Sequence, residues 1–262
     1  MNEYSDFKII VKSYYDFQKM RIRLANRLER KKDGSSQKEN KKTNYKTKVE
    51  REDDNIKFLE IFFDDIKKTE ETFLKDIKKI VHKTALWQNY LKDIKGVGEL
   101  MAAVIMSEFD IYKATTVSKM WAYAGLSPGT TYGKKWNKDK TKIITTDIIV
   151  KQDRKTSGFL CPYNQFLKSK LLGVLADQFI RKENPYRKHY EDYRHRLESK
   201  DWGTESKNPS TKNKKAGHQN NAAKRHIVKL FIIELYVAWR TLEGLPVRNL
   251  YAEEYLGKKH SA

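Results

Sequence analysis

The stretch Lys95-Gly96-Val97-Gly98 has the spacing of a main-chain phosphate-binding turn. Glycines let the backbone approach a phosphate closely, and the amide groups of a helix starting here would point at it with the positive end of the helix dipole. Lys95 would add a charge-assisted hydrogen bond. Such a contact holds the sugar-phosphate backbone without reading bases, so the stretch predicts nonspecific nucleic-acid binding. The alternative is a simple turn between two helices, since such a turn also needs glycine.

A basic β-hairpin is predicted downstream of this turn. The runs at 129–136 and 142–151 are rich in β-branched and aromatic residues, and turn-like residues separate them. A basic hairpin beside a phosphate-binding turn would lie along a nucleic-acid groove. The cations predicted to contact DNA in this segment are Lys134, Lys135, Arg154 and Lys155. An exposed hairpin with solvated lysines explains the same pattern and stays open as an alternative.

Two long helices are predicted to precede the glycine turn. Apolar residues recur at three- and four-residue steps over 5–30 and again from Asp53 to Trp87, which indicates amphipathic helices. Between them, Lys31–Lys48 contains no aliphatic residue and many lysines, as a polar connector does. We therefore expect residues 1–90 to form an antiparallel helical hairpin or coiled-coil arm.

Residues 91–262 are predicted to form a helical DNA-binding domain with a small β-hairpin, so the predicted fold class is mainly α. The glycine turn joins a short helix to a helix rich in alanine and methionine, the pattern of a helix-hairpin-helix. The further predicted helices run from Ser118, as the N-cap, to Gly125, from Pro162 to about Asn184, from there to Glu198, and from about Asn220 to Leu242.

The charge balance points to an anionic partner. The 262 residues include 54 Lys and Arg against 34 Asp and Glu, a formal net charge of +20. Such an excess destabilises a fold through self-repulsion unless an anion neutralises it, and nucleic acid is the most common such anion. A membrane is disfavoured because no apolar run approaches the ~20 residues that span a bilayer. The N-terminus also lacks the pattern of a signal peptide, so we expect a cytoplasmic, nucleoid-associated protein.

Metal and disulfide chemistry are not expected in this chain. Cys161 is the single cysteine, which excludes an internal disulfide and a multi-cysteine zinc site. His189 and His195 lie six residues apart, and this spacing places them on opposite faces of one helix. We therefore predict no metal site.

Three stretches occur in order along the chain: IKGVGELMAAVIMSEF at 94–109, KMWAYAGLSPG at 119–129, and YNQFLKSKLLGVLADQFIRKENPYRKHYEDYR at 163–194. Together they resemble the C-terminal domain of a family of insertion-sequence transposases, the RNA-guided serine recombinases related to the Piv invertase. The matching positions are Gly96, Gly98, Ala122 through Pro128, Asn164, Leu167, Lys168 in place of an arginine, Asn184 and Pro185.

The resemblance implies DNA strand transfer in transposition or recombination. In that family a resolvase-like N-terminal domain holds magnesium through four acidic residues. Residues 1–90 have a helical pattern instead, so we expect no cofactor in this chain and a helical arm in place of the metal domain.

The resemblance leaves the nucleophile open between two residues. The family places a serine before a glycine a few residues after Gly-Leu-x-Pro, where this chain has Tyr132 before Gly133. A Ser-Gly pair occurs later, at Ser157-Gly158, beyond the predicted hairpin. Either hydroxyl could attack a phosphodiester if a base or cation activates it and positive groups stabilise the developing charge.

We therefore expect a DNA-binding protein of transposase ancestry that binds the phosphate backbone through the glycine turn and the basic hairpin. Homo-oligomers would form through the helical arm. The alternative is a structural RNA-binding protein that holds a guide RNA and cuts nothing. A third candidate is a scaffold that binds no nucleic acid at moderate salt.

Overall fold

A computed structural model describes residues 4–28, 54–198 and 212–249 of the chain. Its helices are α1 Tyr4–Arg27, α2 Asp54–Lys83, α3 Ala85–Asn89, a 3₁₀ turn Leu91–Asp93, α4 Glu99–Glu108, α5 Val117–Tyr123, α6 Gln165–Lys170, a π-helical turn Leu171–Leu175, α7 Ala176–Arg181, α8 Pro185–Glu198 and α9 Lys212–Leu242. The strands are β1 Thr130–Trp136 and β2 Ile143–Lys151. This composition confirms the predicted mainly α fold with a small antiparallel hairpin. The predicted connector Lys31–Lys48 lies outside the described residues.

The described residues fall into two compact units, divided between Ile80 and Val81. In the first unit α1 packs against α2. Phe17 faces Phe73 with ring centroids 5.3 Å apart, while Leu24, further along α1, packs with Phe63, earlier in α2. The two helices therefore pair in antiparallel order.

One charge interrupts the apolar face of α1, and α2 neutralises it. The Arg21 guanidinium forms an ion pair with the buried carboxylate of Glu70, to which Gln18 also donates a hydrogen bond of 3.2 Å. The guanidinium donates hydrogen bonds to this buried carboxylate, which stabilises its charged form, so the pKa of Arg21 is raised. This pair explains how an arginine is accommodated in the apolar stripe.

In the second unit α4 is buried from Met101 through Glu108. The small side chains of Ala102 and Ala103 let neighbouring elements approach this helix closely. α9 contributes the largest buried side chains, Trp239 and Tyr236, and it contacts α5, α7 and α8. Burying such side chains contributes about 1.5–3 kcal/mol each, so α4 and α9 form the core that positions the surrounding loops.

Two predicted helix starts were wrong, because side-chain caps lie elsewhere. The N-cap of α5 is Thr116, whose hydroxyl accepts the Lys119 amide at 3.4 Å, while Ser118 lies inside the first turn. Asn164, rather than Pro162, caps the next helix, since its Oδ1 accepts the Leu167 amide at 3.0 Å. An Asn or Thr in extended conformation is a preferred N-cap, and both residues fit that rule.

The last helix is longer than predicted. α9 begins at Lys212 instead of near Asn220, because lysine and alanine extend a helix without any apolar periodicity. The predicted end near Leu242 is confirmed, with Gly244 in the left-handed region at φ 64°. None of the helices in the described part of the chain is both long and apolar enough to cross a bilayer.

Candidate nucleic-acid interface

The glycine turn (Lys95–Gly98) joins the 3₁₀ turn to α4. Its amide at Val97 donates to the Ile94 carbonyl at 3.0 Å, and the Val97 side chain is only 6% exposed. Gly96 has φ 103°, which favours glycine, and a Cβ there would lie 3.2 Å from Phe179 Cδ1. The Val97 side chain is thus part of the core, and only the backbone of this residue is accessible to a ligand. Position 96 requires glycine, both because of its positive φ and because Phe179 leaves little space for a side chain.

Gly98 differs from Gly96. It is the N-cap of α4 in an extended conformation (φ −92°, ψ 170°), with no side-chain cap. Gly98 is exposed, and a Cβ added there would meet no atom within 4 Å. The first amides of a buried ten-residue helix therefore begin at an open surface, with the exposed Lys95 three residues before.

Asn184 fixes the position of the glycine turn. Its Nδ2 donates to the Lys95 carbonyl at 2.8 Å, and its Oδ1 accepts the Arg187 amide at 3.2 Å at the start of α8. Pro185 is the first residue of that helix, where a missing N–H costs nothing. The Asn-Pro pair and the glycine turn, distant in sequence, are thus in contact.

The predicted hairpin carries a register shift between Tyr132 and Lys134. The intervening Gly133 is buried, and a Cβ there would lie 2.5 Å from the ring of Phe159. The Leu160 amide donates to the Lys134 carbonyl at 2.7 Å. The loop 153–163, here called the Ser157 loop, is therefore bound to β1 at this bulge.

Both candidate nucleophiles are exposed near this junction. Tyr132, next to Gly133, is 59% exposed. Ser157 is exposed in a turn closed by the Phe159 amide and the Thr156 carbonyl at 3.3 Å. Within the described residues, no hydrogen bond joins either hydroxyl to a basic side chain.

The predicted DNA-binding cations lie in two regions, with Lys95 in the glycine turn and the other four further along the chain. Lys134, Lys135, Arg154 and Lys155 are all exposed on the hairpin and the Ser157 loop. The glycine turn lies at the opposite end of α4 from Glu108, whose carboxylate accepts a hydrogen bond from Asn164, the residue that directly follows the Ser157 loop. Ten helical residues separate the two regions by about 15 Å.

A group of three cations that the sequence did not reveal adjoins the Ser157 loop. The cation cluster consists of Lys168 on α6 with Arg225 and Lys229, one turn apart on α9. All three side chains are half-buried. The Nε atom of Arg225 is buried without a hydrogen-bond partner in the described part of the structure.

Aromatic rings and a main-chain carbonyl hold the two lysines. Lys168 Nζ donates to the Asp153 carbonyl at 2.6 Å and lies 4.2 Å from the centre of the Tyr163 ring. Lys229 Nζ lies 5.0 Å from the centre of the Trp121 ring. Because an aromatic face attracts a cation without cancelling its charge, these contacts position the ammonium groups and leave them positive.

Burial and mutual repulsion oppose the charge of these lysines. Desolvation, followed by the nearby Arg225 guanidinium, lowers the pKa of Lys168 and the pKa of Lys229 below the usual lysine value. Asp153 acts on Lys168 in the opposite direction. Keeping these neighbouring cations charged therefore costs the folded protein free energy.

Gly125 packs directly on this cluster. It has φ 66°, and a Cβ there would lie 2.6 Å from the Tyr163 ring and 3.0 Å from Lys168 Cδ. The Gly-Leu-x-Pro segment and the Asn-x-x-Leu-Lys segment therefore meet at Lys168. Within the cluster, the sequence comparison singled out only position 168, where lysine replaces the family's arginine. No pattern in the neighbouring residues indicates that this lysine lies near α9.

Metal binding has no geometric basis in the described residues, where no three His, Cys, Asp or Glu side chains converge.

Residues 88–145 match a family model described as Transposase IS116/IS110/IS902 family. The match covers the glycine turn and the Gly-Leu-x-Pro segment, and it confirms the predicted resemblance over that part of the chain. No curated protein matches the chain.

Proposed function

Because residues 88–145 match the family model of the IS116/IS110/IS902 transposases, we propose that this protein binds DNA as part of transposition or recombination. The glycine turn, at the N-terminus of α4, and the basic hairpin would contact the phosphate backbone. The observation that carries this proposal is that the matched segment contains the exposed, uncapped start of α4.

Electrostatics supports a polyanionic partner. The net charge of +20 attracts nucleic acid at long range, and the exposed lysines of the hairpin add local contacts. Contacts to phosphate carry little sequence information, so this surface would supply affinity and orientation more than target choice. A protein that binds DNA in this manner would associate with the nucleoid.

Ser157 and Tyr132 are the candidate nucleophiles for strand transfer. Tyr132 is exposed two residues before the exposed Lys134, and Ser157 is exposed on the loop whose Leu160 amide donates to the Lys134 carbonyl. A positive charge beside the attacked phosphate would stabilise the transition state. Self-association through α1 and α2 would bring two such sites to two DNA strands.

The binding proposal is tested with one steric variant and one matched control. In Gly98→Ala the added methyl has space in the free protein, yet it would stand between the first α4 amides and a phosphate. Gly173→Ala introduces the same methyl at an exposed position with equal space. We expect duplex DNA affinity, measured by fluorescence anisotropy, to fall several-fold for Gly98→Ala alone. Equal affinities would exclude the turn as a contact.

The chemical proposal is tested by trapping a covalent adduct. The protein is incubated with supercoiled and branched DNA with and without magnesium, then denatured and separated by gel electrophoresis. An adduct lost in Ser157→Ala or in Tyr132→Phe identifies the nucleophile, and an adduct that survives both substitutions excludes both residues.

Competition between duplex DNA and a structured RNA of equal charge distinguishes the two nucleic acids. Preferential binding of the duplex supports the DNA proposal. Preference for the RNA, without any adduct, supports a guide-holding protein instead.

A further inference from the structure

The three side chains of the cation cluster form no ion pair among the described residues, and Arg225 lies close enough to both lysines to repel their charges. One position earlier on α9, Lys224 forms an ion pair with Asp177 at 2.5 Å. The same helix therefore neutralises one cation with a carboxylate and leaves the next two, Arg225 and Lys229, without one. A half-buried charge without a counter-ion is costly, so this arrangement calls for an anion from outside the chain.

The chemistry of the three groups favours a phosphate. A guanidinium offers a planar fork of donors, and the two ammonium groups near it add point charges, a combination that suits a tetrahedral anion with several oxygens. The lysines keep their positions through Tyr163 and Trp121, so they need little rearrangement to bind.

The location of the cluster favours a phosphodiester within a strand. Lys168 contacts both Asp153 and Tyr163, which lie four residues before and six residues after Ser157 in the chain. A phosphate on the cluster would therefore lie beside the loop that carries an exposed candidate nucleophile.

We propose that Lys168, Arg225 and Lys229 form a binding site for one phosphodiester of a DNA strand that runs past the Ser157 loop. This inference rests on the proposed DNA-binding function and gives it a second contact region, about one helix length from the glycine turn. The cluster fixes the strand where the hydroxyl groups are exposed.

Salt-dependent DNA binding tests the site. Lys229→Met removes one cluster charge, and Lys188→Met removes one exposed charge from α8 as the matched control. Losing a charge-assisted contact should weaken binding roughly tenfold or more, and it should reduce the slope of log affinity against log salt concentration by about one. Lys188→Met should do neither. Identical behaviour of the two variants contradicts the inference while the wild-type DNA affinity still supports the proposed function. Absence of wild-type binding contradicts both.

Lysine footprinting on the wild-type chain provides a test that needs no variant. Acetylation of Lys168, Lys229 and Lys188 is quantified by mass spectrometry, alone, with duplex DNA, and with inorganic phosphate at the same ionic strength. The proposal expects DNA to protect Lys168 and Lys229 and to leave Lys188 reactive. Protection by inorganic phosphate but not by DNA would identify a free-anion site and overturn the inference. Protection by neither would do the same.

Discussion

The glycine turn and the cation cluster present positive charge in opposite ways. The turn offers main-chain amides at the exposed start of a buried helix, with Lys95 as its nearest cation. The cluster offers three half-buried side-chain cations. The turn is stable without a ligand because water can solvate its amides. The cluster without a ligand keeps the free-energy cost of desolvating its charges and of their mutual repulsion.

The two regions should therefore respond differently to substitution. Changing the turn at a core-facing residue should damage the fold, because Gly96 and Val97 are set by packing and backbone conformation. Removing a cation from the cluster should relieve repulsion, so stability and DNA binding should change in opposite directions. Residues with that behaviour are typical of functional sites that trade stability for binding.

The largest expected effect is on folding, from Gly96→Ala. Alanine at φ 103° is strained by about 1–3 kcal/mol, and its methyl would lie 3.2 Å from Phe179. We expect a loss of about 2 kcal/mol or more, which lowers Tm by roughly 4–8 °C for a unit of this size. Differential scanning calorimetry measures this change in Tm. A Tm within one degree of wild type would contradict the geometry of the turn.

Asn184→Asp should have an intermediate effect and separates the two hydrogen bonds of this side chain. Aspartate keeps the cap on α8, but it loses the Nδ2 donor and places a negative oxygen against the Lys95 carbonyl. We expect a cost of about 1–2 kcal/mol, measured by urea denaturation, together with weaker DNA binding. Asn184→Ser, which also caps but is too short to repel the carbonyl, is the control and should lose less.

The parts of the fold that local residue patterns determine could be predicted from the sequence. The apolar periodicity of α1 and α2, the β-branched runs of the hairpin and the glycine turn all lie within short windows, so the mainly α fold and one candidate contact region followed from the sequence. Even locally, Thr116 and Ser118 are both good caps, and only the backbone conformation distinguishes them.

The cation cluster could not be found in this way. Lys168 and Arg225 are far apart in the chain, and each alone resembles any surface cation in a chain of 54 lysines and arginines. Their proximity depends on how the π-helical turn that follows α6 packs against α9 through buried residues such as Leu171. The partial burial that makes these charges energetically costly arises from tertiary packing, which a local sequence pattern does not reveal.

Lys229→Met should stabilise the protein at neutral pH by more than the ~0.5 kcal/mol typical of surface changes. The folded-state pKa of Lys229 lies below its unfolded value, so the wild type carries the full penalty at pH values below the folded pKa. That penalty shrinks as pH rises toward 10.5, the unfolded value, where lysine is losing its charge in both states. Urea titrations of variant and wild type at several pH values should therefore converge with rising pH. A variant less stable than wild type at neutral pH would show that Lys229 has a stabilising partner.

The smallest expected change in stability belongs to Gly98→Ala, and it defines the contrast within the turn itself. Alanine is a poorer N-cap than glycine by about 0.5–1 kcal/mol, while it stabilises the fold by a similar amount because it lowers the entropy of the unfolded chain. Because Gly98 has an ordinary φ and open space around its Cα, these terms should nearly cancel. We expect a free energy of unfolding within ~0.5 kcal/mol of wild type, measured by urea denaturation. A loss as large as that of Gly96→Ala would mean that both glycines serve packing, and the exposed helix start would then have no distinct role in contacting a phosphate.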